Sequence, residues 1–316
     1  MLLVWGLWTG LVQAKVSLET VETPLVASGL EDEFQAMSEE SEESVPSIKN
    51  WKDKIKDSNV YEPLGLFLLI AIIGFFIKFP PFQKIRGLFL VASIVYFGFY
   101  RGACPCMISS FQNLFLYLMG AEVASVSLLW FLILIPATYL FGKIWCGWLC
   151  HLGALQEVLH HSTKFQFLES EHAQKVLRIL QNTSLVVLVA QLLITRTNIF
   201  YHYDPFKIAY NLHSTTVLGY VLLVLLLVSS VFLYRPFCRG FCPVGLILGW
   251  VGRLPGARRL IKGDECVNCL NCSKECQSHA LEHHGKTTTF SQERCILCGE
   301  CLDCCRKNAL HLERKR

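Results

Sequence analysis

Cys266-Val-Asn-Cys-Leu-Asn-Cys-Ser-Lys-Glu-Cys276 and Cys295-Ile-Leu-Cys-Gly-Glu-Cys-Leu-Asp-Cys-Cys305 are the two stretches that decide the fold of the C-terminal part of the chain. Each has the spacing C-x2-C-x2-C-x3-C, in which a compact triplet of thiolates faces one iron–sulfur cubane and a fourth cysteine follows. Two such runs in tandem predict two [4Fe-4S] clusters within a small α+β domain, residues 251–316.

The fourth cysteine of each run is expected to cross over, because in bacterial two-cluster ferredoxins it ligates the cluster of the other run. Cluster one is then bound by Cys266, Cys269, Cys272 and Cys305. Cluster two is bound by Cys295, Cys298, Cys301 and Cys276.

The two runs also depart from the usual pattern. Gln277 and Arg306 stand where proline commonly follows the fourth cysteine, and Cys304 is adjacent to Cys305 and could compete with it as a ligand. Thiolates also suit tetrahedral zinc, so a structural zinc site is the alternative. Two matched four-cysteine runs with an x3 step favour the clusters.

The composition of the whole chain predicts a membrane protein. Its 316 residues are 53% hydrophobic and only 17% charged, with a mean hydropathy of +0.40, which excludes an ordinary soluble domain. The formal charge of +4 gives no reason to expect a nucleic-acid partner. Eleven of the 15 cysteines lie between Cys238 and Cys305, in spacings typical of metal ligation, so we expect this part in the reducing cytoplasm.

Five apolar stretches between residues 61 and 250 predict transmembrane helices, because about 20 apolar residues cross a bilayer core. They cover residues 63–77, 85–100, 123–141, 180–199 and 217–234, of which the third and fifth are clear and the others marginal. Residues 107–120 are expected to lie in the interface or to re-enter the membrane. The predicted fold is a membrane all-α bundle of about five transmembrane helices followed by a small α+β two-cluster ferredoxin domain.

Cationic loops orient this bundle by the positive-inside rule. Lys78, Lys84 and Arg86 follow the first span, and further lysines and arginines follow the third, which predicts that these loops and the tail are cytoplasmic. Lysines between residues 49 and 56 conflict with this orientation. We rely instead on the predicted signal peptide and on the cysteine-rich tail, which both favour it. The expected location is multi-pass in a bacterial cytoplasmic (inner) membrane, with the N-terminus outside.

The N-terminal residues are expected to lie outside the bundle. Residues 1–14 are apolar, too short to span a bilayer and end in a small-residue pattern, which favours a signal peptide over an uncleaved interfacial anchor. Residues 15–60 are polar, with an acidic, serine-rich run, and predict an extracytoplasmic linker. A docking site for a basic partner is the alternative for this run.

Two C-x3-C motifs follow predicted spans, Cys146 with Cys150 and Cys238 with Cys242. On a helix, positions four apart share a face, so each motif predicts a pair of neighbouring thiols at the cytoplasmic ends of the third and fifth spans. Four thiolates at one depth could bind a third cluster or another metal. Small buried cysteines that only pack, or a thiol pair in redox exchange, are the alternatives. His151 is either a further ligand or a solvated side chain.

The motifs Cys-Gly-Trp-Leu-Cys-His-Leu-Gly-Ala-Leu-Gln-Glu (146–157) and Cys-Arg-Gly-Phe-Cys-Pro (238–243), placed before a ferredoxin tail, resemble those of the NosR and NapH type of polytopic membrane ferredoxins. The first motif looks closer to NosR. The resemblance covers roughly residues 145–309 and implies electron transfer between the quinone pool or a flavin and a partner outside the cytoplasm. His151 replaces the expected proline of the first motif, and the segment before the first span has no room for NosR's flavin-binding domain, so a flavin is not expected within this chain.

Two other places carry candidate residues. Cys104 and Cys106 lie in the predicted outer loop, where a strained disulfide, a transient metal contact or plain structure are the alternatives. His202 and Asp204 lie in the next outer loop and could accept the protons of a quinol, or belong to an ordinary interfacial loop. The centres of the apolar spans contain no histidine, so no haem is expected.

The function predicted from these features is electron transfer at a membrane. The chain is expected to relay electrons between a quinone or membrane partner and a respiratory reductase system, as an electron-transfer subunit rather than a stand-alone catalyst. The alternative is a maturation or assembly factor that reduces a metal such as copper, or a disulfide, for a respiratory enzyme. A redox sensor is a weaker interpretation, because no output domain is recognisable in the sequence.

Overall fold

A computed structural model describes residues 61–103, 106–121, 123, 125–161, 171–198, 200, 204–211, 217–284 and 287–314. These residues lie in one structural unit, Ser58–Arg316. The predicted signal peptide (1–14) and the predicted acidic linker (15–60) lie outside the described residues, as do Cys104 and His202.

Helices form most of the described chain before residue 252. In chain order they are α1 (Tyr61–Phe76), α2 (Pro80–Lys84), α3 (Arg86–Ser93), α4 (Met107–Leu118), α5 (Ser125–Phe141), α6 (His151–His161), α7 (Glu171–Thr195), α8 (Pro205–Asn211), α9 (Val217–Phe232), α10 (Pro236–Gly240) and α11 (Pro243–Val251). Two further stretches are π-helical: Ile94–Tyr100, which continues α3, and Trp145–Leu149, which precedes α6. We call residues 61–251 the helical region.

Each of the five predicted spans contains an apolar helix, but the lengths differ from the expectation. Among the described residues, Phe82–Tyr100 and His172–Thr195 are long and apolar enough to cross a membrane, whereas the helices of the first, third and fifth predicted spans are shorter. Helix α7 is longer than expected because the polar residues before Leu180 are good helix formers and join it. Helix α5 ends before Gly142, whose φ of +87° is the left-handed conformation that commonly ends a helix.

The helical region is organised around α5 and α9. Helices α1 and α4 pack on α5, while α6 and α8 pack on α9. The largest side chains that are almost fully buried include Trp148, Phe131 and Phe206, and the core also contains Ile70 and Leu134. The described segments between the longer helices are therefore part of the packed interior rather than plain surface loops.

The tail, residues 258–314, contains two antiparallel pairs of strands and two short helices. Strand β1 (Arg258–Lys262) pairs antiparallel with β4 (Leu310–Arg314), and β2 (Leu281–His284) pairs antiparallel with β3 (Thr287–Phe290). Two short helices, α12 (Asn271–Lys274) and α13 (Glu300–Asp303), lie between the strands. These strands and helices agree with the α+β domain expected for this part of the chain.

The tail packs directly against the helical region. The Arg258 guanidinium donates a hydrogen bond of 2.7 Å to the carbonyl oxygen of Gly74 at the end of α1. The indole of Trp148 donates one of 2.9 Å to the carbonyl oxygen of Leu297. Leucines of the tail join the same apolar core as the helices. The tail is thus held at one end of the helical region, which we call the tail end.

Candidate metal centres

The tail brings its cysteines together in the two crossing groups that the spacing predicts. Burial raises the pKa of the Cys272 thiol, and the neighbouring Cys266, Cys269 and Cys305 thiolates raise it further. Cys272 of the first run therefore lies beside Cys305, the last cysteine of the second. The binding of a cluster by these four residues stays a prediction.

The second group is arranged in the same way. Burial raises the pKa of Cys301 most, followed by the thiolates of Cys298, Cys295 and Cys276. A cavity with mostly apolar walls, including Leu260, is lined by all four of these cysteines. Thiol ligands around an enclosed apolar space fit an iron–sulfur cluster, whose potential depends on exclusion of solvent.

The backbone repeats between the two runs. Asn268 and Leu297 have positive φ and each precedes the second cysteine of its run, and Leu270 and Gly299 have positive φ directly after it. His279 and Asn308, three positions after the fourth cysteines, share this feature. The left-handed residues turn the chain so that the triplet of each run curves around one space, as the spacing requires.

Burial also sets the protonation of the second group. It raises the pKa of Cys295 to about 12 and that of Cys298 to about 11, although Arg86 near Cys298 acts in the opposite direction. These thiols therefore keep their protons at neutral pH unless a metal displaces them. A buried thiol of this kind is suited to ligation by iron rather than to free thiol chemistry.

Cys304 lies on the side of the first group. Burial raises its pKa to about 11, and Cys272 makes the largest contribution among the thiolates that raise it further. Its Sγ is 3.5 Å from the carbonyl oxygen of Cys301. Cys304 thus lies beside the first group, next to its member Cys305.

The two C-x3-C motifs share one local structure that differs from the expected continuous helix. Cys150 (φ −74°, ψ 106°) and Cys242 (φ −73°, ψ 109°) are both extended residues between a short helical turn and a following helix. In the second motif Pro243 accounts for this, because the residue before a proline is displaced from the helical conformation. His151 follows Cys150 at the same place, and the backbone there is the same without a proline.

The four cysteines of these motifs meet in one place, which we call the four-thiol site. The thiols of Cys146, Cys150, Cys238 and Cys242 all lie close enough together for a charge on one to interact with the others. The amide of Gly245 donates a hydrogen bond of 3.4 Å to Cys242 Sγ, and the Gln156 amide donates one of the same length to Cys238 Sγ. Hydrogen bonds to ligand sulfurs are one of the means by which a protein tunes an iron–sulfur cluster.

Buried cations surround the four-thiol site. The Arg235 side chain, only 2% exposed, donates to the carbonyl oxygen of Cys146 and forms an ion pair with Glu157. Glu157 also pairs with Arg86 at 2.7 Å. Lys143 Nζ donates to the carbonyl oxygens of Gly245 at 2.9 Å and of Glu293 at 2.8 Å. This arrangement was not predictable from the sequence, in which only the presence of polar residues within apolar segments points to it.

His151 is buried rather than solvated. It is 1% exposed, and its ring packs on Phe97 and against Tyr210. Neither ring nitrogen has a hydrogen-bond partner among the residues that the structure describes. A buried imidazole with both nitrogens unpaired, next to Cys150, is a polar group that a bound species could satisfy.

The described parts of the chain contain no group of three or more His, Cys, Asp or Glu side chains close enough to hold a single metal ion. Zinc requires each thiolate sulfur at about 2.3 Å from one ion, which brings the sulfurs almost into contact. A cubane is larger and holds its four thiolates further apart. The binding of a cluster rather than a single ion by each group of cysteines stays a prediction.

Asp204 and Cys106 form a contact at the connections that follow α7 and the π-helical end of α3. Cys106 Sγ lies 3.4 Å from Asp204 Oδ2, and the amide of Phe206 donates a hydrogen bond of 3.0 Å to Asp204 Oδ1. Cys106 is a free cysteine. Because Cys104 and His202 are outside the described residues, the roles considered for them stay expectations.

Comparison with known proteins identifies the kind of protein that this chain resembles. A family described as a 4Fe-4S binding domain matches residues 123–167 and 215–262, which contain the two C-x3-C motifs. An uncharacterized protein of Methanocaldococcus jannaschii is 27% identical over 235 residues, 72% of this chain and 94% of its own length.

Two further relatives bear on the resemblance found in the sequence. The regulatory protein NosR of Stutzerimonas stutzeri is 27% identical over 270 residues, 76% of this chain but only 35% of NosR. The ferredoxin-type protein NapH of Haemophilus influenzae is 24% identical over 176 residues, 52% of this chain and 60% of NapH. No solved structure matches the chain. The expected resemblance to NosR and NapH proteins is confirmed.

Proposed function

We propose that this chain, a relative of NosR and NapH proteins with a 4Fe-4S binding domain, is a membrane-bound electron-transfer protein with two [4Fe-4S] clusters in its tail. It relays electrons between a quinone or membrane partner and a respiratory reductase system. The protein positions the clusters and tunes their potentials, and the clusters carry the electrons.

The observation that carries this proposal is the crossing of the two cysteine runs. Cys305 joins the first triplet and Cys276 joins the second, so each group has the four thiols that a [4Fe-4S] cluster requires. Two such groups in one small domain are typical of proteins that pass single electrons between adjacent clusters. No other chemistry is required of the tail.

The membrane location rests on the surface of the long helices. Apolar side chains that are more than half exposed follow one another along them: Leu64, Leu68, Phe75, Leu88, Val91, Val186, Leu193 and Val224. Exposed apolar patches of this extent are unfavourable in water and match a lipid environment. With the positive-inside rule, this supports a tail on the cytoplasmic side and an N-terminus outside.

The proposal is tested by reducing the clusters with a quinol. The full chain is purified anaerobically, and its EPR spectrum is recorded before and after addition of a short-chain quinol. Rapid appearance of reduced-cluster signals supports the relay. Clusters that quinol does not reduce but that cupric ion oxidises would favour the alternative, a maturation factor that reduces a metal or disulfide. A sample without acid-labile sulfide would refute both.

A further inference from the structure

We propose that Cys146, Cys150, Cys238 and Cys242 bind a third iron–sulfur cluster, enclosed in the helical region between the tail and the short helix α8. This deepens the proposed function, since it adds a redox centre to the same protein. The matched family supports the inference, because it covers the segments that contain these cysteines rather than the two cysteine runs of the tail.

The first argument is the repeated local structure. Cys150 and Cys242 have almost the same φ and ψ and begin α6 and α11 in the same way. Two separate segments therefore each offer one cysteine from a short turn and one from a helix start. Cysteines that merely filled space would not require the same backbone twice or meet in one place.

The second argument is charge. Lys143 is 6% exposed, and its ammonium group donates to two backbone carbonyl oxygens. Arg235 lies beside Cys146 and shares Glu157 with Arg86, so two guanidinium groups share that carboxylate. Buried cations need compensating negative charge. Four thiols that keep their protons supply none, whereas four thiolates around an iron–sulfur cluster carry a net negative charge at this place.

The third argument is the polar groups that point at or border the site. Gln156 and the amide of Gly245 donate hydrogen bonds to two of the four sulfurs. Both nitrogens of buried His151 have no partner within the described part of the chain. A cluster provides acceptor sulfides for such a donor, and an apolar packing site does not.

One side of the four-thiol site lies against the tail. Gly147, between Cys146 and Cys150, contacts the backbone of Ile296, which follows Cys295. Trp148 donates its hydrogen bond to Leu297 in the same loop. Lys143 is electrostatically close to both Cys146 and Cys295. The second cysteine group of the tail is thus the neighbour of the four-thiol site.

The other side of the site lies against α8. Tyr210 donates a hydrogen bond of 2.9 Å to the carbonyl oxygen of His151, and its ring packs directly on Gly98. Gly98 lies in the π-helical stretch that continues α3, and Arg86 begins α3, so the two residues lie toward opposite ends of one continuous helix. Since Arg86 contacts the tail, the four-thiol site lies between the tail end and the opposite end of the helical region.

Iron analysis of the whole chain tests the proposal. We expect about twelve irons per chain in the wild-type protein and about eight in Cys238→Ser, with the signals of the tail clusters retained in EPR. Cys106→Ser removes a cysteine outside the four-thiol site and is the matched control, in which the iron content of the wild type should persist. The difference between the Mössbauer spectra of the wild type and of Cys238→Ser should show the signal of one cluster.

The outcomes separate the two proposals. About eight irons in the wild type, or an unchanged iron content in Cys238→Ser, would overturn the third cluster and leave the tail clusters intact. Loss of all iron in the wild type would instead overturn the proposed function. If Cys238→Ser fails to fold, Cys146→Ser and Cys150→Ser, judged by the same iron count and by monodispersity in detergent, decide the matter.

Discussion

Tyr210 of α8 donates a hydrogen bond of 2.9 Å to the carbonyl oxygen of His151, the residue that follows the second cysteine of the first C-x3-C motif. This contact joins the end of the molecule opposite the tail to the four-thiol site. Phe206, on the same short helix, packs on Phe237, the residue before the second motif, with ring centroids 4.9 Å apart. Helix α8 therefore contacts a residue directly adjacent to each motif.

The position of α8 predicts electron transfer across a membrane. Liposomes containing the full chain and trapped ferricyanide are treated with external dithionite, so that one electron must cross the bilayer for each ferricyanide reduced. We expect reduction in either orientation of the protein, because the four-thiol site lies between the tail and α8. Cys238→Ser should reduce this rate to that of protein-free liposomes while the tail clusters remain visible by EPR.

Replacing the aromatic ring of Tyr210 tests the path on the α8 side. Tyr210→Leu should slow the liposome reaction severalfold, because the ring fills the space between Gly98 and His151. Tyr100→Leu is the control, since Tyr100 lies near the same end of the helical region and is 77% exposed. Equal rates in both variants and the wild type would rule out this path.

The ion pair between Arg235 and Glu157 predicts a large loss of stability when one partner is removed. Glu157→Ala leaves two guanidinium groups without their shared carboxylate, which should cost roughly 3–5 kcal/mol and lower the apparent Tm in detergent. Arg253→Ala removes an exposed pair with Glu293 and should cost about 1 kcal/mol or less. Similar shifts in the two variants would contradict the buried role of Glu157.

The sequence predicted the chemistry of this protein better than its arrangement in space. The spacing of cysteines specifies the crossing groups of the tail, because cubane ligation imposes it and the backbone repeats it at Asn268 and Leu297. The apolar stretches predicted the helices, although their ends depended on local features such as Gly142. The sequence could not place Cys150 beside Tyr210, since that contact depends on how α8 packs between other helices.

The local path of the chain at the four-thiol site shows the same limit. Helical spacing predicted that the two pairs lie at the cytoplasmic ends of their spans, and this depth stays a prediction. The local path was not predictable, because the chain turns back after Gly142, so that Trp145 packs on Phe97 while Gly147 contacts the tail. Hydrophobicity gives the length of a span and carries no information about a short segment that folds back into the interior.

Two variants at neighbouring cysteines decide which residue completes the first cluster. We expect Cys305→Ser to lose about four irons and the EPR signal of one tail cluster, because Cys305 completes the C-x3-C step of its run. Cys304→Ser should retain both signals with a small shift in potential, since its thiol lies beside Cys272 without being required for ligation. The reverse result would reassign the ligand to Cys304.

Gly147 predicts that the tail and the four-thiol site are mechanically joined. A Cβ at this position would collide with the carbonyl oxygen of Ile296, so Gly147→Ala must push the second cysteine run away from the first C-x3-C motif. We expect a lower apparent Tm and faster proteolysis between the helical region and the tail. Gly65→Ala is the control, because nothing lies within 4 Å of a Cβ there, and it should be neutral or stabilise α1 by about 0.5–1 kcal/mol. Equal protease resistance of Gly147→Ala and the wild type would mean that the tail does not rest on this glycine.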